Sequence, residues 1–257
     1  MKVVILAGGL GTRLSEETEV KPKPMVEIGG QPILYHIMKH YAYYGFKEFF
    51  IALGYRGEYI KRYFYDYYSL QGSMIIDLAT GNIQKVKPHT EDWKVNLIDT
   101  GELTNTGGRI KRLEPWLKDE PFMVTYGDGV SNVNLHELVA FHQANKTIAT
   151  VTAVRPPARY GGLVFEGPLV SDFTEKPQAG EGWINGGFLV FEPAIFASIE
   201  NDHTSLEVDV LEHLAVERQL AAYRHYAFWQ CMDTLRDKRQ LEKMWQDGNA
   251  PWRIANE

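Results

Sequence analysis

Cysteines and long apolar runs are scarce or absent in the chain, and each absence excludes a class of protein. Its 257 residues include one cysteine, Cys231, so no internal disulfide can form and a reducing cytoplasm is the expected compartment. No apolar run reaches the length that a membrane-spanning helix needs, and the N-terminus has a strand pattern instead of a signal-peptide pattern. We therefore expect a cytoplasmic protein that has no membrane partner.

An excess of positive charge is also missing. The chain has 27 Lys and Arg residues against 33 Asp and Glu residues, which gives a net charge of −6. This balance argues against a nucleic-acid polymer as partner, although local clusters of cations can still attract a small polyanion. Linkers rich in Ser, Gly or Pro, low-complexity tracts and internal repeats are absent as well. We therefore expect a single domain over residues 1–257.

Strand and helix patterns alternate along the chain. The strand patterns lie near 2–7, 47–53, 121–126, 147–154 and 187–192. The helical patterns lie near 32–44, 57–69, 134–145, 206–217 and 234–246. This alternation predicts an α/β fold: a doubly wound, mostly parallel (mixed), Rossmann-like sheet with helices on both faces. Further strand-like pieces predict added hairpins beside this core, at 74–78, 94–99, 163–165 and 169–173.

The first thirty residues are the most informative part of the chain. An apolar strand runs into the loop Gly8-Gly9-Leu10-Gly11, which places bare backbone N–H groups at the end of a sheet, where an anion can approach them. Arg13 offers a planar fork for phosphate oxygens, and Lys23 offers a mobile point charge. Because prolines flank Lys23, its loop is stiff and its position is set by geometry. The segment predicts a triphosphate-binding cradle.

Two commoner phosphate motifs do not fit this segment. A P-loop needs Lys followed by Ser or Thr after its last glycine, and Gly11 is followed by Thr12 and Arg13. A dinucleotide fingerprint needs a third glycine, where this chain has Leu14, and an acid at the end of the next strand. That strand is followed by Gly54-Tyr55-Arg56, which contains no carboxylate.

Two acids follow strand-like runs and are candidate metal ligands. Asp128 lies between glycines after the run 121–126, where the alternative is a plain turn residue. We favour a metal role because Mg²⁺ prefers one or two carboxylates together with phosphate oxygens. Asp233 ends the apolar run 228–232 at the predicted start of a helix, where an N-cap role competes. Asp237, one helical turn further on, is expected at the surface.

The segment Gly8-Gly9-x-Gly11-Thr12-Arg13-Leu14, followed by Pro22-Lys23-Pro24-Met25, resembles the signature of the sugar-1-phosphate nucleotidylyltransferases. These enzymes join a nucleoside triphosphate to a sugar 1-phosphate and release pyrophosphate. Later segments fit the family in order: Gly127-Asp128, Tyr160-Gly161, Phe173-x-Glu175-Lys176-Pro177 and Asn185-Gly186-Gly187. The chain departs from the family at 15–20, where thymidylyl and uridylyl members usually carry a proline-containing segment. This difference concerns which base is accepted and not which reaction is catalysed.

The resemblance implies a role for each candidate residue. Arg13, Lys23 and Asp128 would be catalytic, and Asp128 and Asp233 would bind Mg²⁺. The nucleotide would lie against Leu6, Ala7, Gly8, Gly9, Leu10, Gly11, Thr12, Arg13, Lys23, Thr104, Arg109 and Asp128. The sugar phosphate would lie against Tyr160, Gly161, Glu175, Lys176, Asn185 and Gly186. Residues 1–130 would then form a nucleotide-binding half, and 131–257 a sugar-phosphate-binding half with C-terminal oligomerisation elements.

The segment Thr104-Asn105-Thr106-Gly107-Gly108-Arg109 falls where relatives carry their second base-contacting loop. Its form, like that of the segment before Lys23, resembles family members that use CTP and glucose 1-phosphate. This implies formation of CDP-glucose for CDP-deoxyhexose and O-antigen (lipopolysaccharide) synthesis, by a homo-oligomer for which we expect a hexamer. A structural or phosphate-side role for Arg109 stays open. So do a uridylyl- or thymidylyltransferase, and a non-catalytic regulatory subunit that binds a nucleotide sugar.

Other patterns favour structural interpretations. His36 and His40 are four residues apart on a predicted helix, but no third metal ligand accompanies them, so we expect core or solvated histidines. Cys231 lies in an apolar run, where packing is expected instead of nucleophilic chemistry. The helix near 57–69 carries more aromatic residues than one buried face needs, which predicts a subunit contact over part of it.

Overall fold

The structure is a computed structural model. It describes the backbone of residues 1–70, 72–86, 90–156, 162–166, 168–174 and 182–254. Within these ranges it leaves out the side chains of 13, 15, 16, 68, 69, 85, 162–166 and 171–174. None of the helices in the described ranges is both long enough and apolar enough to cross a membrane.

A seven-stranded mixed sheet forms the centre of the fold. Its strands are β1 (Val3–Ala7), β2 (Glu48–Leu53), β3 (Lys94–Asp99), β4 (Phe122–Tyr126), β5 (Ala149–Val154), β6 (Ile184–Phe191) and β7 (Leu220–His225). The order across the sheet is β7-β5-β6-β4-β1-β2-β3. Only β6 runs antiparallel to its neighbours in this sheet, β4 and β5. The predicted mostly parallel, mixed α/β sheet is confirmed.

Both faces of the sheet are buried, which explains why its central strands are almost continuously apolar. Val3 and Ile5 point into a core under one face, and Val4 and Leu6 point into a second core under the other. The first core also receives residues of the helices that contain Ile37 and Leu138, and the second receives residues of several helices between 106 and 216. The sheet is therefore covered on both sides, as the doubly wound prediction requires.

Of the longer helices, all but the one at 106–112, which was not predicted, begin and end close to the predicted positions. They are α1 (Ile33–Tyr43), α2 (Gly57–Leu70), α3 (Thr106–Arg112), α4 (Leu135–Asn145) and α5 (Leu235–Gln246). Asn134 caps α4 by accepting from the backbone N–H groups of His136 and Glu137. Shorter helical segments occupy Thr12–Leu14, Ser15–Thr18, Lys23–Met25, Glu114–Leu117 and Pro193–Ser198. The helix predicted near 206–217 begins as a π-helix, Leu206–Leu211, and continues as Glu212–Val216.

Four small two-stranded sheets accompany the central one. The pairs are Ser73–Ile76 with Ile83–Val86, Gly162–Glu166 with Leu169–Thr174, Glu27–Ile28 with Gln31–Pro32, and Gly129–Ser131 with Trp229–Cys231. The predicted hairpins near 74–78 and 163–173 are confirmed. The hairpin prediction for 94–99 is wrong, because this segment is β3 and pairs in parallel with β2 at the sheet edge. Its alternating polar residues reflect that half-exposed edge position.

Candidate active site

The carboxyl ends of β1 and β4 open onto a cleft. These parallel neighbours are in register, with Leu6 opposite Tyr126, and the N–H of Gly127 donates to the Leu6 carbonyl at 3.0 Å. Ligands in open α/β sheets bind at this end of the strands. The cleft has a volume of about 460 Å³. It is lined by Leu6, Ala7, Gly8, Gly9, Leu10, Gly11, Thr12, Lys23, Pro24, Glu102, Leu103, Thr104, Asn105, Thr106, Arg109, Tyr126, Gly127 and Asp128.

Lys23 holds together the two acids that the sequence selected. Its ammonium group donates to Asp128 Oδ2 at 2.7 Å and to Asp233 Oδ1 at 2.6 Å. The Lys23 side chain is 11% exposed, against 28% for Asp128 and 13% for Asp233. Burial alone would lower the pKa of Lys23, but the two carboxylates outweigh it and the pKa lies above its usual value. The lysine is therefore a fixed cation at the wall of the cleft.

Backbone pairing places the two acids side by side. Strand Trp229–Cys231 pairs with Gly129–Ser131, and the N–H of Met232 donates to the Asp128 carbonyl at 2.8 Å. The residue that caps α5 is Thr234, so the N-cap alternative for Asp233 is wrong. Its carboxylate points instead to the ammonium group of Lys23.

The surface prediction for Asp237 is also wrong. Its side chain is buried and accepts from the backbone N–H groups of Asp233 and Thr234, at 3.1 and 2.8 Å. Thr234 and Asp237 form a reciprocal capping box, a pattern that the spacing Thr-x-x-Asp could have revealed. Asp237 thus fixes the start of α5, which begins two residues after Asp233.

The donor set at Asp128 and Asp233 fits a divalent cation. Both carboxylates converge on one positive charge, the ammonium group, which shows that their oxygens face a common point. Among the described residues, no group of three or more His, Cys, Asp and Glu side chains is arranged to hold a metal. Two carboxylates leave most of a coordination shell to other ligands, which is the arrangement Mg²⁺ uses with phosphate oxygens and water.

The glycine loop is fixed by the residues that follow it. Gly11 has φ of +65°, a conformation that favours glycine. The hydroxyl of Thr18 donates to the carbonyls of Gly11 and Leu14, at 3.0 and 2.9 Å, and so holds the loop from behind. Arg13 belongs to the helical turn Thr12–Leu14, but its side chain lies outside the described part of the chain.

Arg109 lines the cleft and also ties together the loops around it. Its guanidinium group donates to the carbonyls of Gly8, Leu53, Gly101 and Glu102, at 2.7 to 3.1 Å, and to the Thr100 hydroxyl at 2.8 Å. A Cβ on Gly8 would lie 2.2 Å from the guanidinium carbon. The geometry supports the structural alternative for Arg109, and a direct contact with a base stays a prediction.

Gly107 and Gly108 are required by packing. A Cβ on Gly107 would lie 2.7 Å from the Thr204 carbonyl oxygen, and one on Gly108 would lie 2.6 Å from the Asp202 Cα. The segment predicted as a loop is therefore the start of α3, pressed against residues 202–206. Thr104, just before it, is buried at the edge of the cleft.

Sequence reasoning missed Tyr126 and Glu207. Tyr126 lines the cleft, and its hydroxyl donates to Glu207 Oε1 at 2.5 Å. Burial and the neighbouring Glu207 raise the pKa of Tyr126 above its usual value, so the phenol keeps its proton. No residue pattern marked Glu207, because the contact joins two segments that are 81 residues apart.

Part of the predicted sugar-phosphate site is described. Asn185 Oδ1 accepts from the Gly187 N–H at 2.9 Å, and the Gly186 carbonyl accepts from the Trp229 indole at 2.6 Å. The hydrogen bond from Trp229 brings this strand next to the one that leads to Asp233. Tyr160, Gly161, Glu175 and Lys176 lie outside the described residues.

The interpretation of His36 and His40 as core histidines is confirmed. His36 and His40 are buried and donate from Nε2 to the carbonyls of Ile28 and Val133, at 2.8 and 2.9 Å. These contacts are those of core histidines. Burial, with a smaller contribution from Asp233 and Asp128, raises the pKa of the Cys231 thiol to about 12, which leaves it un-ionised and a poor nucleophile.

The chain resembles known proteins over almost its whole length. A family model described as nucleotidyl transferase matches residues 2–247. The glucose-1-phosphate cytidylyltransferases of Salmonella typhi and Salmonella typhimurium are each 49% identical over 254 residues, which cover 98% of this chain and 99% of each relative. The crystal structure of HddC from Yersinia pseudotuberculosis is 26% identical, with a TM-score of 0.69 over 95% of this chain and 99% of that one.

Proposed function

The chain belongs to the nucleotidyl transferase family, and we propose that it transfers the cytidylyl group of CTP to α-D-glucose 1-phosphate, giving CDP-glucose and pyrophosphate. The observation that carries this proposal is the convergence of the glycine loop, Lys23, the Thr104–Arg109 segment and Asp128 on one cleft. The identity of 49% to cytidylyltransferases over almost the whole chain supports the choice of substrates.

In the proposed reaction, an oxygen of the sugar phosphate attacks the α-phosphorus of CTP in line. The bond from that phosphorus to the pyrophosphate oxygen breaks, and no covalent enzyme intermediate forms. Such transfers depend almost entirely on positioning and charge stabilisation. The loop from Gly8 to Thr12 would hold the triphosphate, and Lys23 with Arg13 would stabilise the negative charge of the leaving pyrophosphate.

We propose Mg²⁺ as the cofactor, held by Asp128 and Asp233. When bound, the ion would neutralise negative charge on the reacting phosphate oxygens. The short contacts of Lys23 with both carboxylates support this placement, because they show that the two acids already face one cation. The lysine would fix the carboxylates relative to the glycine loop.

Product analysis tests the proposal. Purified protein would be incubated with CTP, glucose 1-phosphate and Mg²⁺, and ³¹P NMR would follow the phosphorus signals. We expect one CDP-glucose and one pyrophosphate for each CTP consumed, and loss of both products when EDTA removes the metal. CTP consumption without CDP-glucose would contradict the proposal.

The same assay decides between the enzyme and a regulatory subunit that binds a nucleotide sugar. A regulatory subunit would bind CDP-glucose in calorimetry but would not form it. The presence of Lys23, Asp128 and Asp233 in one cluster favours the enzyme. A uridylyl- or thymidylyltransferase is distinguished by the triphosphate that the protein prefers.

We propose that the protein is a cytoplasmic homo-oligomer, with a hexamer as the expected state, and that it supplies CDP-glucose for CDP-deoxyhexose and O-antigen synthesis. Support for the oligomer comes from the hairpin over 73–86, which exposes the side chains of Met74, Ile75, Ile76, Leu78, Ile83 and Val86. A patch of this kind is typical of protein contacts. Sedimentation velocity of the wild type and of Ile75→Asp tests it: a monomeric wild type would contradict the proposal.

A further inference from the structure

The carboxylate of Glu207 organises one wall of the cleft from behind. It accepts from the Tyr126 hydroxyl at 2.5 Å, from the Thr106 hydroxyl at 2.7 Å and from the Ser205 hydroxyl at 3.0 Å. Tyr126 and Thr106 line the cleft. Glu207 itself is half-buried and lies one layer further out.

The donors come from separate parts of the nucleotide side of the cleft. Thr106 begins α3, two residues after Thr104, and Tyr126 ends β4, two residues before Asp128. An ionised carboxylate only accepts hydrogen bonds, so both hydroxyl protons must point to Glu207. Charge-assisted hydrogen bonds of this kind are stronger than neutral ones. Glu207 thereby fixes the base-side loop relative to the strand that carries Asp128.

Tyr126 extends the network to the sugar side. The Asn185 side chain lies near the Tyr126 hydroxyl, where it opposes the effect of burial on the pKa of the phenol. Asn185 Oδ1 accepts from the Gly187 N–H, which ties the amide to the glycine beside this tyrosine. The ring lies so close to Gly187 that a Cβ there would be 2.5 Å from it. Hydrogen bonds therefore run from Thr106 through Glu207 to Tyr126, whose ring packs against Gly187, two residues after Asn185.

The backbone around Glu207 is unusual. Glu207 lies in the π-helix Leu206–Leu211, which Ser205 caps by accepting from the Val208 N–H. The first N–H of this helix, from Leu206, donates to the Thr106 hydroxyl at 2.9 Å. π-Helical turns are rare and frequently occur at functional sites. The helix and the start of α3 therefore hold each other through both backbone and side-chain contacts.

We propose that Glu207 is a positioning residue that couples the nucleotide and sugar 1-phosphate subsites. The inference rests on the proposed function. Nucleotide that orders the loop at Thr106 also orders Tyr126 through Glu207, and Tyr126 packs against the segment that carries Asn185. Binding of one substrate then lowers the conformational cost of binding the other.

Calorimetry tests the coupling directly. The dissociation constant of glucose 1-phosphate would be measured with and without saturating α,β-methylene-CTP and Mg²⁺, in the wild type, Glu207→Gln and Tyr126→Phe. We expect the analogue to tighten sugar phosphate binding by about fivefold or more in the wild type, and this factor to fall towards one in both variants. Glutamine has one acceptor oxygen and cannot receive all three hydroxyl donors.

The control is Glu212→Gln, which removes an exposed carboxylate from the same helical segment, away from the cleft. In Glu212→Gln, the CTP analogue should tighten glucose 1-phosphate binding by the same factor as in the wild type. The double variant Glu207→Gln/Tyr126→Phe should show no further loss, because both changes break one network. If Glu207→Gln does not fold, Tyr126→Phe decides alone, since it removes only the hydroxyl.

Two results would overturn the coupling: a wild type that binds the two ligands independently, or variants whose factor stays within twofold of wild type. Turnover of the wild type is measured in the same preparation. An inactive wild type would refute the proposed function, whereas an active enzyme with uncoupled subsites would refute only the role of Glu207.

Discussion

The ammonium group of Lys23 donates to the carboxylate of Asp233 at 2.6 Å, across 210 residues of sequence. The same group also binds Asp128, so the first loop, the end of β4 and the segment before α5 meet at one charge. An isolated buried ammonium is costly, and two carboxylates next to each other repel. The three groups therefore stabilise one another, and each substitution in the cluster should affect the others.

Asp128→Asn should keep the fold and lower turnover by about a hundredfold or more, because it removes one of the charges that would hold the proposed metal. The measurement is kcat at saturating Mg²⁺, CTP and glucose 1-phosphate. Asp119→Asn, an exposed acid outside the cleft, is the matched control and should retain wild-type kcat. Activity of Asp128→Asn within a few-fold of wild type would remove Asp128 from the proposed metal site.

Lys23→Ala and Lys176→Ala should impair different substrates. Lys23 lines the cleft in which we propose that CTP binds, so its loss should lower kcat and weaken CTP binding. Lys176 is assigned to the sugar phosphate by resemblance alone, and its loss should mainly raise KM for glucose 1-phosphate. The measurement is kcat and both KM values for each variant. Equal changes for both substrates in both variants would refute this division of roles.

Gly108→Ala should displace α3, because its Cβ would lie 2.6 Å from the Asp202 backbone. Relief of such a clash typically costs about 1–3 kcal/mol of unfolding free energy. Since α3 carries Thr106 and Arg109, KM for CTP should rise as well. Urea unfolding and CTP kinetics are the measurements. Gly182→Ala is the control, because a Cβ there meets no atom of the described residues within 4 Å, and equal stability of the two variants would contradict the packing argument.

Acidification should destabilise the protein through its buried histidines. Burial lowers the pKa of His40 to about 4 and also lowers those of His142 and His225. Below pH 6.5 the unfolded chain binds protons that the folded chain does not bind, so stability is fully present above this pH and falls between pH 6.5 and 4. At pH 5, His40 alone should account for about 2 kcal/mol.

Urea unfolding at pH 7.5 and pH 5 tests this prediction. In His40→Gln the amide can still donate to the Val133 carbonyl but does not titrate, so the loss of stability between the two pH values should be smaller. His203→Gln, at an exposed position, should keep the wild-type difference. An unchanged difference in His40→Gln would show that this histidine does not contribute.

The sequence was sufficient for the central strands and for the residues that end them. β1, β2 and β4 are buried on both faces, so their apolar runs are continuous and easy to recognise. The edge strands were harder. β3 was assigned to a hairpin and β7 was not predicted, because both are half-exposed and mix polar with apolar residues.

The site was predictable where chemistry is local and not where it depends on packing. Lys23 and Asp128 stand in short motifs, whereas the contact of Tyr126 with Glu207 requires the tertiary fold. The helix α3 was missed because Gly107 and Gly108 disfavour helices. Glycine is needed at both positions because residues 202–204 approach α3 closely, and no local sequence pattern reveals this tertiary contact.

Base selectivity tests the central claim most directly. CTP and UTP differ in the amino or carbonyl group of one ring carbon and in the protonation of the adjacent nitrogen. A buried site built for one pattern leaves groups of the other unpaired, at about 1–3 kcal/mol per group, or roughly ten- to a hundredfold in kcat/KM. The measurement is kcat/KM for CTP, UTP, dTTP and ATP with saturating glucose 1-phosphate. We predict that CTP leads each of the others by about tenfold or more, and a value for UTP or dTTP that equals or exceeds that for CTP would contradict the cytidylyl assignment.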